Sequence, residues 1–148
     1  MKDDNSEVVV DIMGDNFLSE MMGIFLIEYR DLIDAYADSL QNIENDILVE
    51  LSYKELFRVY HTLKGNTAFF PEYKEFTHFT KYYCELLRYP EKLDLHDPIL
   101  INTMKTNATL LITILNVSES MFHSEGKINI DEIDRLITDF ENNNLANY

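Results

Sequence analysis

At 148 residues, 46% of them hydrophobic, with only four glycines and three prolines, the chain suits one globular domain of long helices rather than a turn-rich β fold. A formal net charge of −15 argues against nucleic acid and anionic membrane as partners. The lone cysteine, Cys84, cannot form an internal disulfide, and with no signal peptide or bilayer-length apolar run the sequence reads as cytoplasmic.

Taken in chain order, residues 1–14 read as a polar, flexible lead-in, and the domain proper begins at Asp15. From there Leu18, Met22, Phe25, Tyr29, Leu32, Tyr36, Leu40 and Ile43 recur at spacings of three and four, which predicts one face of a long helix. The pattern loosens over 44–50. Ser52 and Glu55 have the spacing of a capping box, predicting a second helix from about Tyr53 to Phe69. Its buried stripe would be Leu56, Val59 or Tyr60, and Leu63, with Phe57, His61, Lys64, Gly65 and Ala68 on a neighbouring face.

Pro71 predicts a break near Phe70. A third helix would follow to about Tyr89, with Phe76, Phe79, Tyr83 and Leu86 or Leu87 inward. Asp97-Pro98 is a start signal, an N-cap followed by a first-turn proline. The helix it opens offers Ile101, Met104, Leu111, Ile114, Leu115 and Val117 to the core. Gly126 marks another break, and a short last helix near Asp131 to Asn142 carries Ile133, Leu136, Ile137 and Phe140. The pattern as a whole predicts an all-α antiparallel four-helix bundle over 15–122, with a short C-terminal helix and tail over 123–148.

Charge is unevenly spread along this plan. Residues 54–92 hold seven of the twelve basic residues and five acids, so the window carries +2 and the remainder −17. An anionic group would be tolerated there more readily than elsewhere.

Inside that window lies His61-Thr62-Leu63-Lys64-Gly65-Asn66-Thr67-Ala68-Phe69. On a helix, His61, Lys64 and Gly65 are i, i+3 and i+4, neighbours one turn apart. Lys64 sets a cation beside whatever the imidazole carries. A mid-helix glycine costs about 1 kcal/mol against alanine, and clearance beside the imidazole for a bulky group or partner is a reason to keep it. A nucleophilic histidine with a cation near and an open approach suits reversible phosphorylation.

The pattern His61-Thr-Leu-Lys64-Gly65 resembles the signature of the histidine phosphotransfer family, His-x-x-Lys-Gly on the second helix of a four-helix bundle. Within that family it is most similar to the N-terminal phosphotransfer domain of chemotaxis kinases of the CheA type, through Phe25-Leu26-Ile27-Glu28, the motif itself, Thr77-His78 and a fifth helix. The resemblance implies a phosphocarrier with His61 as phospho-acceptor at Nε2, Lys64 stabilising phosphate and Gly65 giving steric clearance. It implies no ATP site and no cofactor of its own, with Mg²⁺ on the partner receiver. A histidine kinase and a response-regulator receiver domain are the implied partners, and the chain is expected to be a monomer. In that subtype a glutamate one turn beyond the Thr-His pair holds the other ring nitrogen. Here that position is Lys81. The hairpin near Phe70 is expected to set residues 78–82 opposite His61, making His78 and Lys81 groove neighbours and leaving Glu85 a turn further away.

Competing readings have their own residues. Glu75-x-x-His78 is the one Glu-x-x-His pair in the chain, whereas a di-iron bundle needs two, so no metal is expected. Cys84 reads as core, and His96 and His123 as surface. Phe57, Phe69, Phe70 and Tyr82 could form an apolar docking rim round the His61 face. The alternatives to a stand-alone carrier are a fragment of a CheA-like kinase, a binding-only module that has lost phosphotransfer, and a plain structural bundle.

Overall fold

The computed structural model describes the backbone of residues 4–144 and the side chains of residues 16–144, so residues 1–3 of the expected lead-in and the last four of the tail lie outside the described residues, while 4–14 are helical backbone. Five α-helices follow one another: α1 (Asp4–Glu44), α2 (Val49–Thr67), α3 (Lys74–Leu87), α4 (Pro98–Glu125) and α5 (Ile130–Asn143), with short 3₁₀ turns at Pro71–Tyr73 and Pro90–Lys92. No strand occurs among the described residues. The expected all-α class holds.

The apolar stripes meet as their spacing requires. Met22, Phe25, Tyr29, Leu32, Tyr36 and Ile43 of α1 are buried, and so are Leu56, Val59, Tyr60 and Leu63 of α2. Phe76, Phe79, Tyr83 and Leu87 of α3 join them, together with Met104, Leu111, Ile114 and Leu115 of α4. Leu18 departs from the expectation: at 47% exposure it sits beyond the end of the packed core. α1 packs on both α2 and α4, α2 packs on α3, and α5 closes against α3, α4 and the Pro71–Tyr73 turn.

Hydroxyls thread this core. Tyr36 donates to the Met104 carbonyl at 2.7 Å and lies 2.8 Å from the Tyr60 hydroxyl, which accepts from the Asn107 amide at 3.1 Å. Tyr29 donates to the Leu111 carbonyl and Tyr73 to Ser118 Oγ. Burial pushes the phenols of Tyr29, Tyr36, Tyr60 and Tyr73 above the ordinary tyrosine value, because the charged form would lose its water. These bonds tie α1, α2 and α4 together through groups that would be costly to bury unpaired.

Two boundary expectations are corrected. Ser52 and Glu55 do not form a capping box, because α2 starts three residues earlier, at Val49. Ser52 is buried inside the helix, with its N–H on the Leu48 carbonyl, and Glu55 turns to Arg58 instead. Leu48 precedes the helix in the left-handed conformation (φ 46°) without a side-chain cap. At the start of α4 the expected signal works, Asp97 accepting from the Ile99 N–H at 2.9 Å, and Asn129 caps α5 by accepting from the Asp131 N–H, also at 2.9 Å. Gly126 ends α4 at φ 72°, a conformation that suits glycine. The second correction concerns α4, whose length and apolar content would allow it to cross a bilayer. Its apolar residues Leu100, Met104, Leu110, Leu111, Ile114 and Leu115 instead line the protein core.

Candidate functional site

The site is built on α2, whose two sides differ sharply. Leu56, Val59, Tyr60 and Leu63 are wholly buried, whereas His61 and Gly65 are exposed and Lys64 is half-buried. The 3.6-residue period alone produces this division: rotating one residue on from Tyr60 carries His61 off the core face. The imidazole rests beside the Phe57 ring, centroids 5.7 Å apart. A Cβ built on Gly65 would meet nothing within 4 Å. The helix cost of that glycine is therefore not repaid by any internal close approach, and the space beside it is open.

Across the groove stands α3, and three pairs fix its register against α2. Thr67 Oγ1 meets Thr77 Oγ1 at 2.8 Å, the Tyr60 and Tyr83 rings lie 5.5 Å apart, and the Arg88 guanidinium sits 5.8 Å from the centre of the Phe57 ring. The pairs reverse in order along the two helices, so His61 stands level with Tyr82 to Cys84, at the far end of the expected stretch 78–82 and beyond it. The connection explains the shift: it runs from Ala68 to Tyr73 and includes a 3₁₀ turn, so α3 starts only at Lys74. His78 is consequently held nearer the hairpin, level with Asn66. It is exposed, with Nδ1 4.0 Å from Glu75 Oε2. By the same register Glu85 stands one to three residues past the level of His61, toward Phe57.

The charged groups round this level act on one another. Arg88 binds Glu85 through two hydrogen bonds, at 3.0 and 3.3 Å. The Arg88 guanidinium holds the Glu85 carboxyl below the ordinary carboxylate range, with smaller help from Lys64 and Lys81. Burial pushes the Cys84 thiol up, although Lys64 and Arg88 pull it down. Cys84 is thus a buried, protonated neighbour, as its reading as core implied. Lys64 of α2, and Lys81 and Arg88 of α3, share one electrostatic neighbourhood with a single carboxylate in it. Sequence reasoning missed Arg88 altogether. The signal that would have found it is the hairpin register, which depends on how many residues the connection consumes.

Of the expected apolar rim, Phe69 and Tyr82 are exposed and Phe57 is half-buried. Phe70 is not part of it: its ring is buried 5.7 Å from that of Phe25, where it plugs the end of the core. Among the described residues no group of three or more His, Cys, Asp or Glu side chains is arranged to hold a metal ion.

Comparison with known proteins agrees with the resemblance at a coarse level. The chain is 26% identical over 121 residues to the chemotaxis protein CheA of Borreliella burgdorferi, in a match that takes in 79% of this chain and 13% of that protein. No family model and no solved structure matches the chain. Over most of its length, the chain is similar to a small part of a chemotaxis protein.

Proposed function

We propose that the chain is a histidine phosphotransfer domain in which His61 carries a phosphoryl group between signalling proteins. The observation that carries this reading is the pairing of an exposed imidazole with Lys64 and a sterically open Gly65, one turn on, over a groove that gathers Lys81 and Arg88. A packed structural histidine would need none of these.

In the proposed reaction the Nε2 lone pair attacks phosphorus on a kinase-bound or receiver-bound donor. The N–P bond forms as the bond to the donor breaks, and the donor leaves with that electron pair. On the return leg a receiver carboxylate oxygen attacks the phosphorus, and the P–N electron pair goes back to Nε2. The Nδ1 proton stays on the ring throughout. Glu85, just past the level of His61 and bonded to Arg88, is our candidate to accept a hydrogen bond from Nδ1–H, the part that the resemblance gives to a glutamate and that Lys81 cannot play. Lys64 and Arg88 would offset the phosphoryl charge. ATP chemistry and the receiver's Mg²⁺ would belong to the partners, and the setting would be the cytoplasm.

A second reading has its own support. Because the chain matches only 13% of the length of the chemotaxis protein, it also fits the phosphotransfer segment of a larger CheA-like kinase.

The test is direct. Incubation with phosphoramidate, followed by intact mass, should add one acid-labile phosphoryl group that is absent in His61→Gln. An adduct that persists in His61→Gln would remove His61 from the role.

A further inference from the structure

A second surface of the molecule is independent of the His61 groove. On α1 the core residues Met22, Phe25, Tyr29, Leu32 and Tyr36 mark one side. Counting 100° per residue, Met21, Phe17, Ile24 and Ile27 run in turn from the flank of that core side to the side opposite it, and Ile24 and Ile27 border α4 at Phe122. In that order the four are 37%, 61%, 52% and 69% exposed, four large apolar side chains in eleven residues. Between Ile24, Ile27 and α4 an open depression of about 490 Å³ is lined by Gly23 and Phe122. Gly23 keeps the floor low, since a Cβ there would already touch the Phe122 ring at 3.7 Å.

The same side changes character past Ile27. Glu28, Asp31, Asp34 and Asp38 follow over the next eleven residues and are all exposed. This acidic half borders α2 at Arg58 and Thr62. From residue 16 to 44, α1 carries six acids against one base, Arg30, and Arg30 is bound across to Glu119 and Asn116 of α4. Scattered exposed apolar residues are ordinary, but an apolar stripe broken only by Glu20 that runs on into a block of one charge sign is a recognition pattern. A second copy would bring acid against acid and is disfavoured on this face.

We propose that the outer side of α1 is a docking surface for an amphipathic, basic helix of another protein, whose apolar residues cover Phe17 to Ile27 and whose lysines or arginines lie along Glu28 to Asp38. The complementarity in charge identifies the occupant, and the hollow over Gly23 and Phe122 receives its largest apolar side chain. The proposal does not depend on phosphotransfer at His61.

The experiment uses the full chain and a fluorescein-labelled synthetic helix with a leucine block followed by a lysine block, read by anisotropy. A glutamate version serves as control. The lysine peptide should bind and the glutamate peptide should not. Ile24→Ser with Ile27→Ser should weaken binding by about tenfold or more, as expected for loss of two apolar contacts, while Leu48→Ser with Leu51→Ser, exposed residues elsewhere, should leave it unchanged. All four positions are exposed, and far-ultraviolet circular dichroism checks that the variants keep their helix content. Three results would overturn the proposal: no binding of the lysine peptide, equal binding by the Ile24/Ile27 variant, or a dimer in sedimentation that the same variant abolishes, which would make a second copy the occupant.

Discussion

The two sides of α2 are one residue apart in sequence and opposite in what they do. On the inner side Leu56, Val59, Tyr60 and Leu63 are at zero exposure, each held by neighbours from other helices, and the Tyr60 hydroxyl is bonded on both flanks. On the outer side His61 leans on one ring and Gly65 faces open space. Stability is concentrated where nothing can approach, and reactivity where almost nothing packs. The difference teaches that the chain can hold an imidazole in the open on a helix whose inner side is locked into the core.

That contrast can be broken first from the inside. Leu63→Ala should cost about 2–5 kcal/mol, the range for a buried leucine emptied to alanine, seen as a lower urea midpoint. The fraction that stays folded should still take phosphate at His61. A change below about 1 kcal/mol would mean that the inner side is less tightly packed than its burial implies.

Next in size is the tyrosine network. Because the buried phenols titrate above their unfolded value, the unfolded chain releases protons first as pH rises past about 10, so stability present below that pH is lost above it. The urea midpoint should therefore fall steeply on the alkaline side. Tyr60→Phe should shallow that fall. It should also cost about 1–3 kcal/mol at neutral pH, since the Asn107 amide loses its acceptor. A pH profile that stays flat beyond the phenol range would contradict the burial of these hydroxyls.

Smaller effects belong to the outer side. Gly65→Ala should raise stability by up to about 1 kcal/mol, there being nothing for the methyl to strike. Phosphorylation by a small donor should be unchanged, and transfer to a receiver slowed. If transfer is unaffected, clearance for a partner is not what keeps the glycine. His61→Gln should change stability least, within about 0.5 kcal/mol as for an exposed surface substitution, while abolishing the phosphoryl adduct. Equal losses in both measurements would mean that the imidazole is structural.

Much of the molecule could be read from local pattern. The period of Met22 to Ile43, the Asp97-Pro98 start and the Gly126 stop each depend on a few neighbouring residues, and each appears in the structure as expected. The capping box failed for a reason equally local in appearance: Ser52 and Glu55 have the right spacing, but the aliphatic Val49, partly buried at the start of the helix, lets α2 begin a turn earlier. Phe70 was misplaced because composition cannot distinguish a phenylalanine that plugs a core end from one that rims a groove. The groove itself was misread by two residues or more, since the length of the Ala68–Tyr73 connection sets which part of α3 faces His61.

The sequence by itself determined the helices, the side of each that is buried, and the motif His61-x-x-Lys64-Gly65, because hydrophobic period and helical spacing are properties of residues within one or two turns of each other. Only the tertiary structure decided that Arg88 stands over Phe57 and Tyr83 against Tyr60, leaving His78 nearer the hairpin, and that the Tyr60 hydroxyl meets both Tyr36 and Asn107 in the core. Those pairings join residues from about two dozen to nearly fifty positions apart, and their register is set by loop closure and the interlocking of side chains between helices, which no local window contains.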